Sequence, residues 1–181
     1  AQVNPIEIRF MKNIEFFGYI IELGDPSDNE LNHPISRQIN QFPENKNNKT
    51  LFEIFSIAGN IDYATIINLM YYLPELPLNS GYELPVQRAN ELGFESQEEI
   101  DSIQTLVEKI NDFYIQSKFE YIWTGLEPFR IKSLSHLTEL KPSKSFMQEI
   151  ESYYGFAFDH YEIVPSLTIW SGPGWGVTNA K

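Results

Sequence analysis

Apolar and charged positions alternate from Ile6 to Met11 (Ile-Glu-Ile-Arg-Phe-Met), the period of a half-buried strand. Asn13 then stands where it can cap a short helix whose Ile14, Phe17 and Ile21 share one face, closing at Gly24 before Pro26. From Asp25 to Asn48 the chain is rich in Pro, Asn and Asp, which predicts a surface connection with at most one short helix around Ile35–Ile39. Thr50-Leu-Phe-Glu53 has the spacing of a capping box, opening a helix that stops at Gly59. Asp62 is placed to cap the next helix, with Ile66, Met70 and Leu73 on one stripe and Pro74 at its end. Pro85 suits the first turn of a short helix closing at Gly93.

The clearest signal is Ser96-Gln-Glu-Glu99, a second capping box. It leads Ile100, Ile103, Val107, Ile110 and Tyr114 at 3-4-3-4 spacing, a helix of about five turns with room to extend to Tyr121. Residues Glu127–Leu140 and Ser145–Tyr154 read as two more helices, the second closed by Gly155. After Gly155 the texture turns to β-type. Phe156–Val164 and Leu167–Trp170 predict strands, Pro165-Ser166 a hairpin turn or bulge, and Ser171–Gly176 a tight loop. The expected fold is therefore α+β and mainly helical, with an N-terminal strand, about six helices and a small antiparallel sheet at the C-terminal end. Residues 1–155 would form the helical region and 156–181 the start of a sheet, within one domain. A domain seldom ends as its sheet begins, so the pattern suggests part of something larger.

Composition narrows the chemistry. The 181 residues are 42% apolar and 14% aromatic, enough for a sizeable core. Twenty-five acids against 13 Lys and Arg give a formal charge of −12, with no basic block, which makes nucleic acid and anionic membranes poor partners. No cysteine is present, so disulfides, thiolate catalysis and Cys-based zinc sites are excluded. No apolar run reaches the roughly 18 residues of a membrane span. The opening Ala1-Gln2-Val3 fits a mature end after signal-peptide removal or an arbitrary boundary alike, and a secreted or periplasmic bacterial location is the expectation.

Candidate chemistry is sparse. His33, His136 and His160 form no His-x-x-x-His or His-Glu-x-x-His pair, so local spacing draws no zinc site. On a strand, Asp159 and His160 point to opposite faces. Asp25, Asp28 and Glu30 lack the order of acids and the central Gly of an EF-hand, so a solvated loop is the reading there. Glu149 and Glu151 cannot share a helical face, whereas Glu120 and Glu127, seven apart, can. Phe16-Phe17, Tyr71-Tyr72 and Tyr153-Tyr154 sit at helical spacing and read as core plus surface tyrosine tips. Ser171-Gly-Pro-Gly-Trp-Gly176 is neither a phosphate-binding loop nor a dinucleotide fingerprint. It reads as a plain turn or as a ligand-facing loop from Ser171 on, with its glycines, Gly172 among them, allowing close backbone approach and Trp170 and Trp175 supplying flat apolar contact.

One resemblance runs along most of the chain. A strand feeding Lys12–Gly24, then a loop, then His33-Pro34 before a helix, resembles the opening of a family of secreted bacterial proteins that look like gluzincin-type zinc metallopeptidases. The resemblance implies that the helical stretch leads into a sheet bordering a peptide cleft, with a His-Glu-x-x-His zinc helix following. That motif does not occur in residues 1–181, so no zinc ligand or base can be carried over, and zinc would belong to a longer parent protein. The implied role is a non-catalytic N-terminal portion, inactive alone as a hydrolase, with Trp170, Ser171, Gly172 and Trp175 lining a wall of the cleft beside a Leu167–Trp170 edge strand. The alternative is a non-enzymatic extracellular module binding peptide or glycan. A metal-free enzyme using paired carboxylates ranks last.

Overall fold

The computed structural model describes residues 6–24, 36–37, 41–155 and 160–169. Among them stand eight α-helices, one 3-10 helix and two short strands, in the order β1 (Ile6–Ile8), α1 (Lys12–Gly24), η1 (Pro43–Asn47), α2 (Lys49–Ala58), α3 (Tyr63–Tyr72), α4 (Val86–Glu91), α5 (Gln97–Gln116), α6 (Phe119–Gly125), α7 (Glu127–Glu139), α8 (Lys144–Tyr154) and β2 (Tyr161–Ile163). The chain is thus mainly helical, as the periodicity predicts, with more and shorter helices than the six expected. The expected helix around Ile35–Ile39 lies largely outside the described residues.

α1 is the axis of the core. It is apolar on nearly every side, and Ile14, Phe16, Phe17, Tyr19, Ile20 and Leu23 are all buried. Phe16 meets Phe119 at 4.9 Å and Tyr114 edge-on at 5.0 Å between ring centroids, so α1, α5 and α6 share one aromatic cluster. α3 covers another side of α1, while α2 lies along α5.

Local signals set most helix ends. Ser96 and Glu99 make the reciprocal capping box at α5, and Asp62 accepts the Thr65 N–H at 3.0 Å to start α3. Gly93 and Gly155 take positive φ after α4 and α8. Three expectations change. α1 begins at Lys12, so Asn13 lies inside its first turn and does not cap it. α2 is capped by Asn48, which accepts the Thr50 N–H at 2.8 Å, while Glu53 turns instead to Lys109 at 2.6 Å and Lys49 at 3.5 Å. α5 stops at Gln116 rather than running to Tyr121, because Lys118 adopts φ 58° and restarts the chain as α6. The break is bound into the core, where Asn45 Nδ2 donates to the Ser117 carbonyl at 2.9 Å and the Tyr19 hydroxyl at 2.8 Å.

The sheet differs most from expectation. β2 pairs with β1 and the pair is parallel, Ile6 opposite Tyr161 and Ile8 opposite Ile163. The antiparallel C-terminal hairpin is not formed by the described residues, because Tyr161–Ile163 finds its partner at the other end of the chain. Residues 156–159 lie outside the described set.

Packing is uneven. α7 buries none of its residues, and α8 buries only Met147. Phe129, Ile131, Leu140, Phe146, Tyr153 and Tyr154 remain exposed there, Tyr153 at 85%.

Candidate functional site

Trp170, Ser171, Gly172 and Trp175, the residues expected to line a cleft, lie outside the described residues. The described part of the expected Leu167–Trp170 strand is no strand. Its N–H groups are committed elsewhere: Leu167 donates to Glu15 Oε1 at 2.8 Å, while Thr168 and Ile169 donate to Ser166 Oγ at 3.1 and 2.9 Å. The Thr168 hydroxyl donates to the Glu15 carbonyl at 2.9 Å. This tight turn lies directly on α1. A Cβ added at Gly18 would fall on Thr168 Oγ1, 2.6 Å from Thr168 Cβ and 2.8 Å from Ile169 Cγ1, so only glycine admits the contact.

The contact seals Glu15. Its side chain is fully buried, Oε1 takes the Leu167 N–H, and Oε2 has no hydrogen-bond partner among the described residues. Burial pushes its carboxyl up to about 7, against the lowering effects of the Leu167 N–H, the Thr168 and Ser166 hydroxyls and the more distant Arg130. Arg130 lies 3.5 Å from the centre of the Trp123 ring and donates to the Trp123 carbonyl, so it does not reach Glu15 as an ion-pair partner.

At the other face, the strand pair is braced by charge. Arg9 pairs with Glu162, whose second oxygen accepts the Tyr71 hydroxyl at 2.5 Å. The Glu162 carboxylate, with burial, pushes Tyr71 up to about 12. Glu7 stands beside this group, 3.9 Å from Arg9 Nε and 3.6 Å from His160 Nε2. The parallel register, with the Arg9 N–H donating to the Ile163 carbonyl at 3.2 Å, turns the Tyr161 and Ile163 backbone towards β1. The N–H and C=O of Glu162 therefore face the outer edge of β2, where they have no backbone partner among the described residues. The outer side of β1 is met by Lys141, whose Nζ donates to the Ile6 carbonyl at 2.8 Å.

An open cleft of about 270 Å³ lies between residues 9–13 and Tyr71, Leu73 and Glu75. At its floor Lys12 pairs with Glu75 at 3.0 Å and Glu120 at 3.1 Å. Burial pulls Lys12 down, but the two carboxylates outweigh it and hold the ammonium above its ordinary range. Glu120 also accepts the Tyr114 hydroxyl, which lowers the carboxyl and, with burial, raises the phenol. The side-chain contacts of Glu120 are with Lys12 and Tyr114, and Glu127 is not among them. Among the described residues no group of three His, Asp or Glu side chains is arranged to hold a metal. His136 is exposed on α7, and His33 lies outside the described residues. No described helix is long and apolar enough to cross a membrane.

Glu15 escaped the sequence reading, although a signal exists. It is an acid inside the apolar run Ile14–Ile21, with Gly18 three residues on. Compared with family models, curated proteins and solved structures, the chain matches none.

Proposed function

We propose that this chain is a non-catalytic peptide-docking unit, the N-terminal part of a secreted zinc metallopeptidase-like protein, in which the outer edge of β2 forms one wall of the peptide cleft. The observation that supports it is the two-stranded parallel sheet with the Glu162 N–H and C=O turned outward. Two strands are fewer than a sheet ordinarily needs, and an extended peptide satisfies such an edge by adding a strand. Ile163 is exposed beside it and offers apolar contact to alternate peptide side chains. Zinc, in this reading, is held by residues of the parent protein outside this chain, and these residues bind and orient rather than activate water.

The second reading is a free-standing extracellular module for peptide or glycan. It is favoured by Tyr153 and Tyr154, both exposed, with rings edge-on at 5.2 Å. The two readings separate on the full-length protein. A His-Glu-x-x-His helix in the residues beyond Lys181 supports the first, and a secreted product of 21.0 kDa supports the second.

A further inference from the structure

Folded proteins rarely leave a buried carboxyl oxygen without a partner, because desolvating the charged form is costly. Glu15 is such a group, and what covers it is specific. The 166–169 turn contributes one N–H to Oε1 and a hydroxyl to the Glu15 carbonyl, and rests on Gly18 with no room for a Cβ. We infer that Glu15 is a proton-operated latch: the 166–169 turn docks on α1 while the carboxyl is neutral and is released as it ionises.

The direction follows from linkage. Docking takes the carboxyl out of water, so it stabilises the protonated form, and ionisation must weaken docking by the same factor. The charged group acting on Glu15 from a neighbouring element is Arg130 of α7. It favours ionisation but is outweighed by burial, and its guanidinium is already engaged with Trp123. The Ser166 and Thr168 hydroxyls belong to the turn itself and leave with it. Lifting the turn admits water to a carboxylate that has no cation on it. The latch does not depend on the peptide reading and stands or falls separately from it.

The test is an NMR titration of the whole chain labelled with 13C and 15N. It follows the Glu15 carboxyl carbon together with solvent-exchange protection of the Leu167 and Thr168 amides, corrected for intrinsic exchange. With a docked pKa of about 7 and an undocked value near 4.5, docking weakens about tenfold between pH 6 and pH 8. The expected result is loss of protection by that factor, most of it below pH 7 and levelling off as the carbon shift completes, and constant protection in Glu15→Gln, which keeps the acceptor and removes the proton. A Glu15 that titrates near its ordinary value overturns the latch. So does one that titrates near 7 while the amides stay equally protected. Both readings come from the unmodified chain, so they stand even if the variant does not fold.

Discussion

Asn13 of α1 holds Leu76, across the core, in the connection that follows α3. Its Oδ1 accepts the Leu76 N–H at 3.0 Å, while Nδ2 donates to the carbonyls of Met70, Leu73 and Pro74 at 3.0–3.2 Å. One buried amide thus finishes a neighbouring helix and orders the chain beyond it. Gln104 and Asn111 of α5 do the same further along, taking the Leu84 and Leu78 N–H groups at 2.7 Å.

Asn13→Ala strands several buried backbone groups at once, and the expected loss is about 2–3 kcal/mol. Urea unfolding at constant m-value measures it. A loss under about 0.5 kcal/mol would mean water replaces the amide and Asn13 organises nothing.

The helix starts give a paired prediction. Ser96→Ala and Asn48→Ala each remove an observed cap and should cost about 1 kcal/mol. Thr50→Ala, at the position the sequence marked as a cap, should cost less than either, because Thr50 is the donor in that contact. Equal costs at positions 48 and 50 in thermal unfolding would contradict the assignment.

Gly18→Ala places a methyl where Thr168 stands. The expected effect is displacement of the 166–169 turn at every pH, with a stability loss of about 1–3 kcal/mol. Exchange protection of the Leu167 amide should vanish, while that of buried α5 amides such as Ile103 persists.

Glu15 also sets a slope on stability. Its folded value is raised from 4.5 to about 7, so the folded state holds a proton that the unfolded state has already lost. Its contribution is greatest below about pH 4.5, falls as pH rises towards 7 and is flat above. Denaturant titrations across that window should show a falling component in the native chain that is missing in Glu15→Gln.

Helices were legible where the periodicity and caps are local, as at Ser96, Asp62 and Gly155. The end of α5 was not, because Tyr114, Phe119 and Ile122 keep an apolar rhythm straight through the break at Ser117-Lys118, and only burial of Asn45 against Ser117 fixes it. The β character of Tyr161–Ile163 is legible in the sequence, and its partner is not. Apolar alternation would turn Tyr161 and Ile163 inward, whereas Glu162 is the side chain held against Arg9 and Tyr71 while Ile163 is exposed, and alternation says nothing about a pairing with Ile6–Ile8 more than 150 residues away. Asn13 looked like a cap for its own helix, and composition around it could not reveal that it serves another. Of the expected cleft, Trp170, Ser171, Gly172 and Trp175 lie outside the described residues, and Leu167–Ile169 form a turn on α1 rather than an edge.

Whether the outer edge of β2 receives an extended peptide is best tested by adding a blocked peptide of alternating Val and Thr to 15N-labelled protein. Shifts centred on the amides of Glu162 and Val164, lost when Glu162 is N-methylated at its backbone by semisynthesis, are the predicted result. Perturbations that leave Glu162 unmoved, with binding elsewhere or absent at millimolar peptide, would contradict the edge as a docking wall.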